Sequence, residues 1–252
     1  MKLRAAILLA VMGLARTAAA QDRFEIQVYD VETAAPRALG LELHLNYATQ
    51  GTTTASAGEV ATDRLAHFTL EPHVGVVRWL ELGGYLQFAL RPDGSFDFGG
   101  VKLRGKFRWP NRIAGGLIGL AANVEVSWIP SAYEPNVYGS ELRPVIDLRW
   151  RRLFASVNPI LDMDLGGALA GRPQFQPAAK VALELVPDCE IGVEYYGALG
   201  PLDAPLPASQ QSHRVFGVVD LKMGSVDLNL GVGYGVLESE RWTMKAILGH
   251  DL

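Results

Sequence analysis

Residues Lys102 to Trp109 read KLRGKFRW, and this stretch decides how the rest of the chain is interpreted. Positive side chains stand at every second position, namely Lys102, Arg104, Lys106 and Arg108, and the residues between them are apolar or glycine. A period of two is that of a β-strand, in which successive side chains point to opposite faces of the sheet. The stretch therefore predicts a strand with one basic face and one apolar face.

The same alternation recurs along most of the chain after residue 38, whereas helical periodicity is nearly absent. In every segment one face is apolar and the other carries charged, polar or glycine residues. The pattern predicts an all-β protein with twelve strands, near residues 39–50, 62–76, 79–91, 96–109, 115–128, 139–150, 153–165, 174–186, 189–199, 212–222, 225–236 and 241–252.

The links between the predicted strands alternate in length. Long polar links, such as 50–61 and 129–138, follow odd-numbered strands, and most even-numbered strands end in tight turns, such as 77–78 and 151–152. Long outer loops with short periplasmic turns are typical of outer-membrane barrels, which need an even number of strands and a closed sheet. We therefore predict a transmembrane antiparallel up-and-down β-barrel of about twelve strands over residues 39–252.

The tryptophans agree with this prediction, because all five fall at the ends of predicted strands. There they would form an aromatic girdle at the two membrane interfaces. A soluble periplasmic β-sandwich would also alternate, but it gives no reason for tryptophan at strand ends or for charge on one face throughout. The predicted girdle consists of Trp79, Trp109, Trp128, Trp150 and Trp242.

The N-terminus predicts export. Residues 1–20 combine the basic Lys2 and Arg4 with a short apolar run and an Ala-rich end, which is the pattern of a secretory signal peptide.

The single cysteine, Cys189, excludes an internal disulfide framework. A formal net charge of −4 without a basic tail gives no reason to expect a nucleic-acid partner.

Residues 21–38 form a separate segment between the signal peptide and the first strand. They alternate through Phe24, Ile26 and Val28. The segment is predicted either to hang in the periplasm or to fold into the barrel as a plug. The plug is the preferred interpretation, because a free tail would not need apolar alternation.

Several hairpin stretches resemble a known group of proteins. VRWLELGGYLQFALRPDGSFDFGGVKLRGKFRW, NVEVSWIP, ELRPVIDLRW and NPILDMDL resemble small proteobacterial outer-membrane barrels described as transporter-like. That group of barrels looks related to the family of outer-membrane channels named for a phenol-degradation pathway. The likeness covers most of residues 23–252 and is one of pattern. It implies a channel for hydrophobic or aromatic compounds. One departure is the C-terminal Leu252, where such barrels usually end in an aromatic residue that assists insertion.

The inward face is the part of the predicted barrel that is dense in chemistry. Basic and acidic walls across a narrow pore would select solutes by charge and size. Alternatively, the charges pair and fill the interior, because twelve strands lie between filled eight-stranded barrels and open sixteen-stranded ones. The predicted lumen-lining residues are Glu42, His44, Glu71, His73, Glu81, Arg91, Lys102, Arg104, Lys106, Arg108, Glu125, Arg143, Asp147, Arg149, Lys180, Glu184 and Glu194.

The sequence as a whole predicts a channel of the cell outer membrane that passes small solutes. We expect its partners to be outer-membrane lipid, the solute and, during biogenesis, the barrel-insertion machinery. A structural or adhesion barrel with a filled lumen is the alternative.

A catalytic role and a cofactor are not expected. No G-x-S-x-G or H-E-x-x-H motif occurs, and the neighbours Ser212 and His213 would point to opposite faces of a strand. An outer-membrane lipid-modifying enzyme is therefore a weaker alternative. His44, His67 and His73 share the inward parity of the first two strands, but ordinary hydrogen bonding is favoured over a metal site.

Overall fold

A computed structural model describes residues 22–55, 58–167, 170–237 and 239–252. The predicted signal peptide, residues 1–20, lies outside these ranges. The long strands are β1 (Leu39–Gln50), β2 (Ala66–Val77), β3 (Leu80–Leu90), β4 (Phe96–Arg108), β5 (Ile118–Trp128), β6 (Tyr138–Trp150), β7 (Leu153–Asp164), β8 (Gln174–Val186), β9 (Cys189–Ala198), β11 (Ser212–Met223), β12 (Val226–Leu237) and β13 (Trp242–Asp251). A two-residue strand, β10 (Gly200–Pro201), and a 3-10 turn, Ala208–Gln210, complete the described elements.

The long strands form one closed antiparallel barrel. Each pairs with the neighbouring long strands along the chain, and β1 pairs with β13, for example through Leu45 opposite Ala246. The short β10 pairs with the end of β8. Closure satisfies the backbone groups that a sheet edge would leave unpaired. The predicted all-β transmembrane up-and-down barrel is confirmed. Within the described residues, no helix is long and apolar enough to cross a membrane.

The barrel has two distinct ends. We call one the long-loop rim, which carries the links 51–65, 91–95, 129–137, 165–173, 202–211 and 238–241. The other is the short-turn rim, where β1 begins and β13 ends, and its links are shorter apart from 109–117. This alternation agrees with the pattern in the sequence.

Two predicted strands begin later than expected, because turns occupy their first residues. β2 begins at Ala66 rather than at residue 62, since Arg64 has a positive φ of 56°. β5 begins at Ile118 rather than at residue 115, since Gly115 and Gly116 have φ values of 70° and 89°. Backbones in the left-handed region cannot continue a strand.

The two faces of the wall differ as the opening stretch predicts. Leu103 points outward and is 67% exposed, whereas its neighbour Arg104 points inward and is 5% exposed. The five tryptophans are exposed on the outer surface. Trp128 and Trp242 lie at the long-loop rim, and the other three lie at the short-turn rim. The outer surface is therefore an apolar band with tryptophan at both rims.

Prolines lie at two gaps in the hydrogen-bonded ladder of the wall, one at Pro72 in the β2–β3 pairing and one at Pro144 in the β6–β7 pairing. The β6–β7 pairing runs up to Leu142 opposite Leu161 and resumes at Ile146 opposite Val157. Pro144 lies within this gap and has no N–H to donate to a neighbouring strand. The wall tolerates this local loss because both strands remain paired on their other sides.

An arginine on the apolar band should destabilise the barrel. Leu103 lies near the middle of β4, so Leu103→Arg should lower the free energy of unfolding in bilayers by about 2–4 kcal/mol. The measurement is a urea titration of the refolded protein in lipid vesicles. Leu103→Met is the matched control and should change stability little. Equal stability of both variants would contradict the outward assignment of this face.

Candidate functional site

The barrel interior contains the predicted lumen-lining charges at several depths. Arg91 lies at the long-loop rim beside Asp97, whereas Arg108 and the exposed Arg149 lie towards the short-turn rim. Glu42, His73 and Glu184 are partly buried. The buried members are His44, Glu71, Glu81, Lys102, Arg104, Lys106, Glu125, Arg143, Asp147, Lys180 and Glu194.

Residues 22–38, which we call the N-terminal segment, are deeply enclosed along much of their length. The side chains of Phe24, Ile26 and Tyr29 are at most 4% exposed. Ile26 packs in a cluster with Ile160 and other inward residues of the wall. The segment starts near the long-loop rim and joins β1 at the short-turn rim. It therefore runs lengthwise through the lumen.

Side chains of the wall satisfy the backbone of the N-terminal segment. The Tyr29 N–H donates to Asn158 Oδ1 at 2.7 Å, and the Ser156 hydroxyl donates to the Tyr29 carbonyl at 2.6 Å. The Lys245 ammonium donates to the Ile26 carbonyl at 3.0 Å. Because the segment forms no regular strand, these contacts supply the partners that its buried backbone requires.

Acidic side chains of the N-terminal segment meet the basic face of β4. Three of the four cations in the opening stretch pair with this segment, whereas Arg104 is held by acids of the wall. Buried charges require such partners, because an unpaired charge in a low-dielectric interior is costly. The pairs are Lys102 with Asp22, Lys106 with Asp30 at 3.7 Å, Arg108 with Glu32 at 2.6 Å, and Arg104 with Glu71 at 2.8 Å and Glu81 at 2.6 Å.

Tyr29 lies at the centre of the basic region. Its hydroxyl is 2.8 Å from that of Tyr85. Arg143, Lys106 and Arg104 stand over its ring at 4.7, 5.2 and 5.3 Å from the ring centroid. The electron-rich ring attracts all three cations, so Tyr29 reduces their mutual repulsion while it fills the lumen.

Glu25 extends the same network. It is fully buried, and its carboxylate lies 3.1 Å from Arg143 Nη1 and 3.7 Å from Lys102 Nζ.

Phe24, the neighbour of Glu25 in the chain, packs edge-on against His67, with ring centroids 4.6 Å apart. His67 therefore contacts the N-terminal segment through its ring.

Loops at the long-loop rim hold the start of the N-terminal segment. Arg23 Nε lies 3.0 Å from Glu240, and Arg23 Nη1 lies 3.5 Å from Glu59. Burial alone would raise the pKa of Glu240, but Arg214 and Arg23 outweigh it and lower that pKa. At Glu59, burial outweighs Arg23 and raises the pKa. The pair of Arg23 with Glu240 is therefore less sensitive to acid than the pair with Glu59.

Two cavities lie along the lumen and share no lining residue. The upper cavity has a volume of about 50 Å³ and is bordered by Asp22, Lys102 and residues near the long-loop rim. The lower cavity has a volume of about 760 Å³ and is bordered by residues 27–30, 32–35 and 38 of the N-terminal segment. The segment thus lies along the lumen between the small upper cavity and the large lower cavity.

The lining of the lower cavity contains more acids than bases. Eleven carboxylates and six basic side chains border it. Such an excess concentrates cations over anions. The carboxylates are those of Asp30, Glu32, Glu42, Glu81, Glu184, Asp188, Glu190, Glu194, Asp220, Asp227 and Asp251, and the bases are Arg104, Lys106, Arg149, Lys180, Lys222 and Lys245.

The sequence interpretation missed some contacts of the N-terminal segment. Ser156, Asn158 and Tyr85 share the inward parity of the charged residues, and the period of two indicates this parity for each of them. The period of two does not identify what these three side chains bind. Asn158 and Ser156 bind the backbone of Tyr29, and Tyr85 binds its hydroxyl.

Comparisons with known proteins identify the fold. No family model matches the chain, and a search of curated proteins gives no match. Among solved structures, an outer-membrane channel of Pseudomonas putida F1 designated COG4313 is similar, with a TM-score of 0.60, 12% identity and coverage of 90% of this chain and 100% of that one. The KdgM porin gives a TM-score of 0.57 with 8% identity, covering 84% and 99% of the two chains. The NanC porin gives 0.53 with 7% identity, covering 84% and 97%. The chain therefore has the fold of these outer-membrane channels.

Proposed function

We propose that this protein is an outer-membrane channel for small polar solutes, and that its N-terminal segment is a plug that closes the lumen. The observation that carries this proposal is the position of the segment between two separate cavities. The apolar outer band and the tryptophans at both rims support the membrane location. Outer-membrane lipid and the insertion machinery are accordingly proposed as partners.

The polar contacts of the N-terminal segment are of a kind that water can replace. Apart from a parallel bridge between Pro36 and Gly75, no strand pairing holds it to the wall. Arg108 and Glu32 at the short-turn rim are partly exposed, and such pairs contribute little. Deeper pairs such as Arg143 with Glu25 resist release more strongly. We therefore propose that the channel opens when the segment leaves the lumen and the wall stays intact.

The charge of the lower cavity supports a polar solute with positive charge. Its carboxylates outnumber its basic groups. The resemblance to channels for hydrophobic or aromatic compounds implies a different solute. A lumen lined by charged groups offers such a compound little apolar contact and requires desolvation of the lining. We favour small cationic or zwitterionic solutes for passage through this lumen.

Removing the acids of the N-terminal segment should open the channel. The variant Asp22→Asn/Asp30→Asn/Glu32→Gln breaks the pairs with β4. Of these pairs, Lys102 with Asp22 is the largely enclosed one, and loss of one partner of a buried pair costs about 3–5 kcal/mol. Because each 1.4 kcal/mol corresponds to about tenfold in an equilibrium constant, the open probability should rise at least about tenfold. The measurement is single-channel conductance of the refolded mature protein in planar bilayers.

The control for this experiment is Asp93→Asn, which changes an exposed acid in the β3–β4 link. It should behave like the wild type. If the wild type conducts as freely as the triple variant, the N-terminal segment is not a plug. If both stay silent although they are folded, the channel proposal fails and a structural barrel with a filled lumen takes its place.

The opened channel should prefer cations. In the triple variant, a salt gradient should give a reversal potential of cation-selective sign. The further changes Glu184→Gln and Glu190→Gln should move that potential towards the anion side, because both residues line the lower cavity. Asp203→Asn, in an exposed loop outside both cavities, is the matched control. Anion selectivity before the glutamate changes would refute the assigned solute charge.

A further inference from the structure

A group of potential metal ligands lies in the wall beside the N-terminal segment. Glu42 and His44 lie two positions apart on β1, and Glu71 of β2 is the direct cross-strand partner of Glu42. Like charges opposite each other in a sheet repel, so the two carboxylates require a positive group between them. His44 Nε2 lies 3.5 Å from Glu42 Oε2 and 3.0 Å from Glu71 Oε2.

The spacing of these atoms suits a small tetrahedral ion. One donor atom from each of the three residues lies within 4.8 Å of the others. With zinc–ligand bonds of about 2.0–2.1 Å, tetrahedral donors stand about 3.4 Å apart. The two distances from His44 Nε2 bracket that value. A metal ion could thus enter the group after a small shift of the partly exposed Glu42 carboxylate.

A fourth donor comes from the N-terminal segment. The Gln27 amide nitrogen lies 3.4 Å from Glu42 Oε2, and its oxygen, Oε1, is buried without a hydrogen-bond partner. The two ends of a glutamine amide are almost identical in shape, so a flip would turn the oxygen towards Glu42. An amide oxygen can bind a cation, whereas the nitrogen cannot. After such a flip, Gln27 Oε1 would stand beside the three wall residues as a fourth oxygen or nitrogen donor.

The surroundings position the ligands and leave a path for the ion. Arg104 Nη2 lies 2.8 Å from Glu71 Oε1, so it orients the carboxylate whose other oxygen faces His44. Charged partners of this kind commonly orient metal ligands. Glu42 and Gln27 border the lower cavity, which gives access from the short-turn rim.

We propose that Glu42, His44, Glu71 and Gln27 bind a divalent ion of the zinc class. An imidazole nitrogen with carboxylate oxygens favours zinc-like ions over calcium or magnesium, which prefer oxygen ligands alone. The sequence predicted no metal and weighed only the three histidines together. In the structure His44 joins two glutamates instead. A bound ion would tie Gln27 to the wall and fasten the N-terminal segment in the lumen.

Cobalt absorption tests the site directly. The refolded mature protein without a His tag, carrying Cys189→Ser to remove the one thiol, is treated with a chelator and titrated with Co²⁺ in detergent. We expect saturation at one equivalent with the visible spectrum of tetrahedral cobalt, and displacement by Zn²⁺. His44→Gln should weaken Co²⁺ binding at least about tenfold, since changes even outside the ligand set cost 10–100-fold.

The matched control is His67→Gln, because His67 is an inward histidine of β2 that packs against Phe24. It should bind Co²⁺ as the wild type does. Folding of each variant is checked by its heat-modifiable mobility in electrophoresis. If His44→Gln does not fold, Glu42→Gln replaces it, because Glu42 is partly exposed. Absence of saturable binding in the folded wild type, or binding unaffected by the ligand variants, would overturn the proposal. The readout is independent of conductance, so a silent channel does not affect it.

Discussion

The four cations on the inward face of β4 are the constraint on which the interior depends. A strand that contributes an apolar outer face to a membrane barrel necessarily turns its alternate residues into the lumen. Positive charges enclosed there require compensation. Wall acids compensate Arg104, whereas Lys102, Lys106 and Arg108 are paired with the N-terminal segment. The charge of this strand thereby explains why an acidic segment lies inside the barrel.

The wall and the N-terminal segment are held by different kinds of interaction. The wall is a closed hydrogen-bonded ladder whose disruption in lipid would expose backbone groups. The segment is held by hydrogen bonds from side chains such as Asn158 and Lys245, and water can form hydrogen bonds of the same kind. This difference is the physical basis for the proposal that the segment leaves the lumen while the wall stays intact. The metal site proposed at Glu42 and Glu71 would add one more contact between the segment and the wall.

The strands were predictable because a half-buried sheet imposes its period on every segment. The stretch from Lys102 to Trp109 falls almost entirely within β4, and the predicted bounds of β1 are those observed. Prediction was less accurate where glycine or positive φ values replaced the strand, as at Gly115 and Gly116. Such turns carry no periodic signal, so the alternation appeared to continue through them.

The sequence by itself determined the fold class, the face of each strand that lies inside, and the tryptophans at the rims, because all three follow from local alternation and strand length. Only the tertiary structure decided which charges meet. The partner of Lys102 is Asp22, eighty positions away, and His44 lies beside Glu71 rather than another histidine. These contacts depend on the register between strands and on the path of the N-terminal segment through the lumen. Neither is encoded in a period of two, since that period states which face a residue occupies but not what stands opposite.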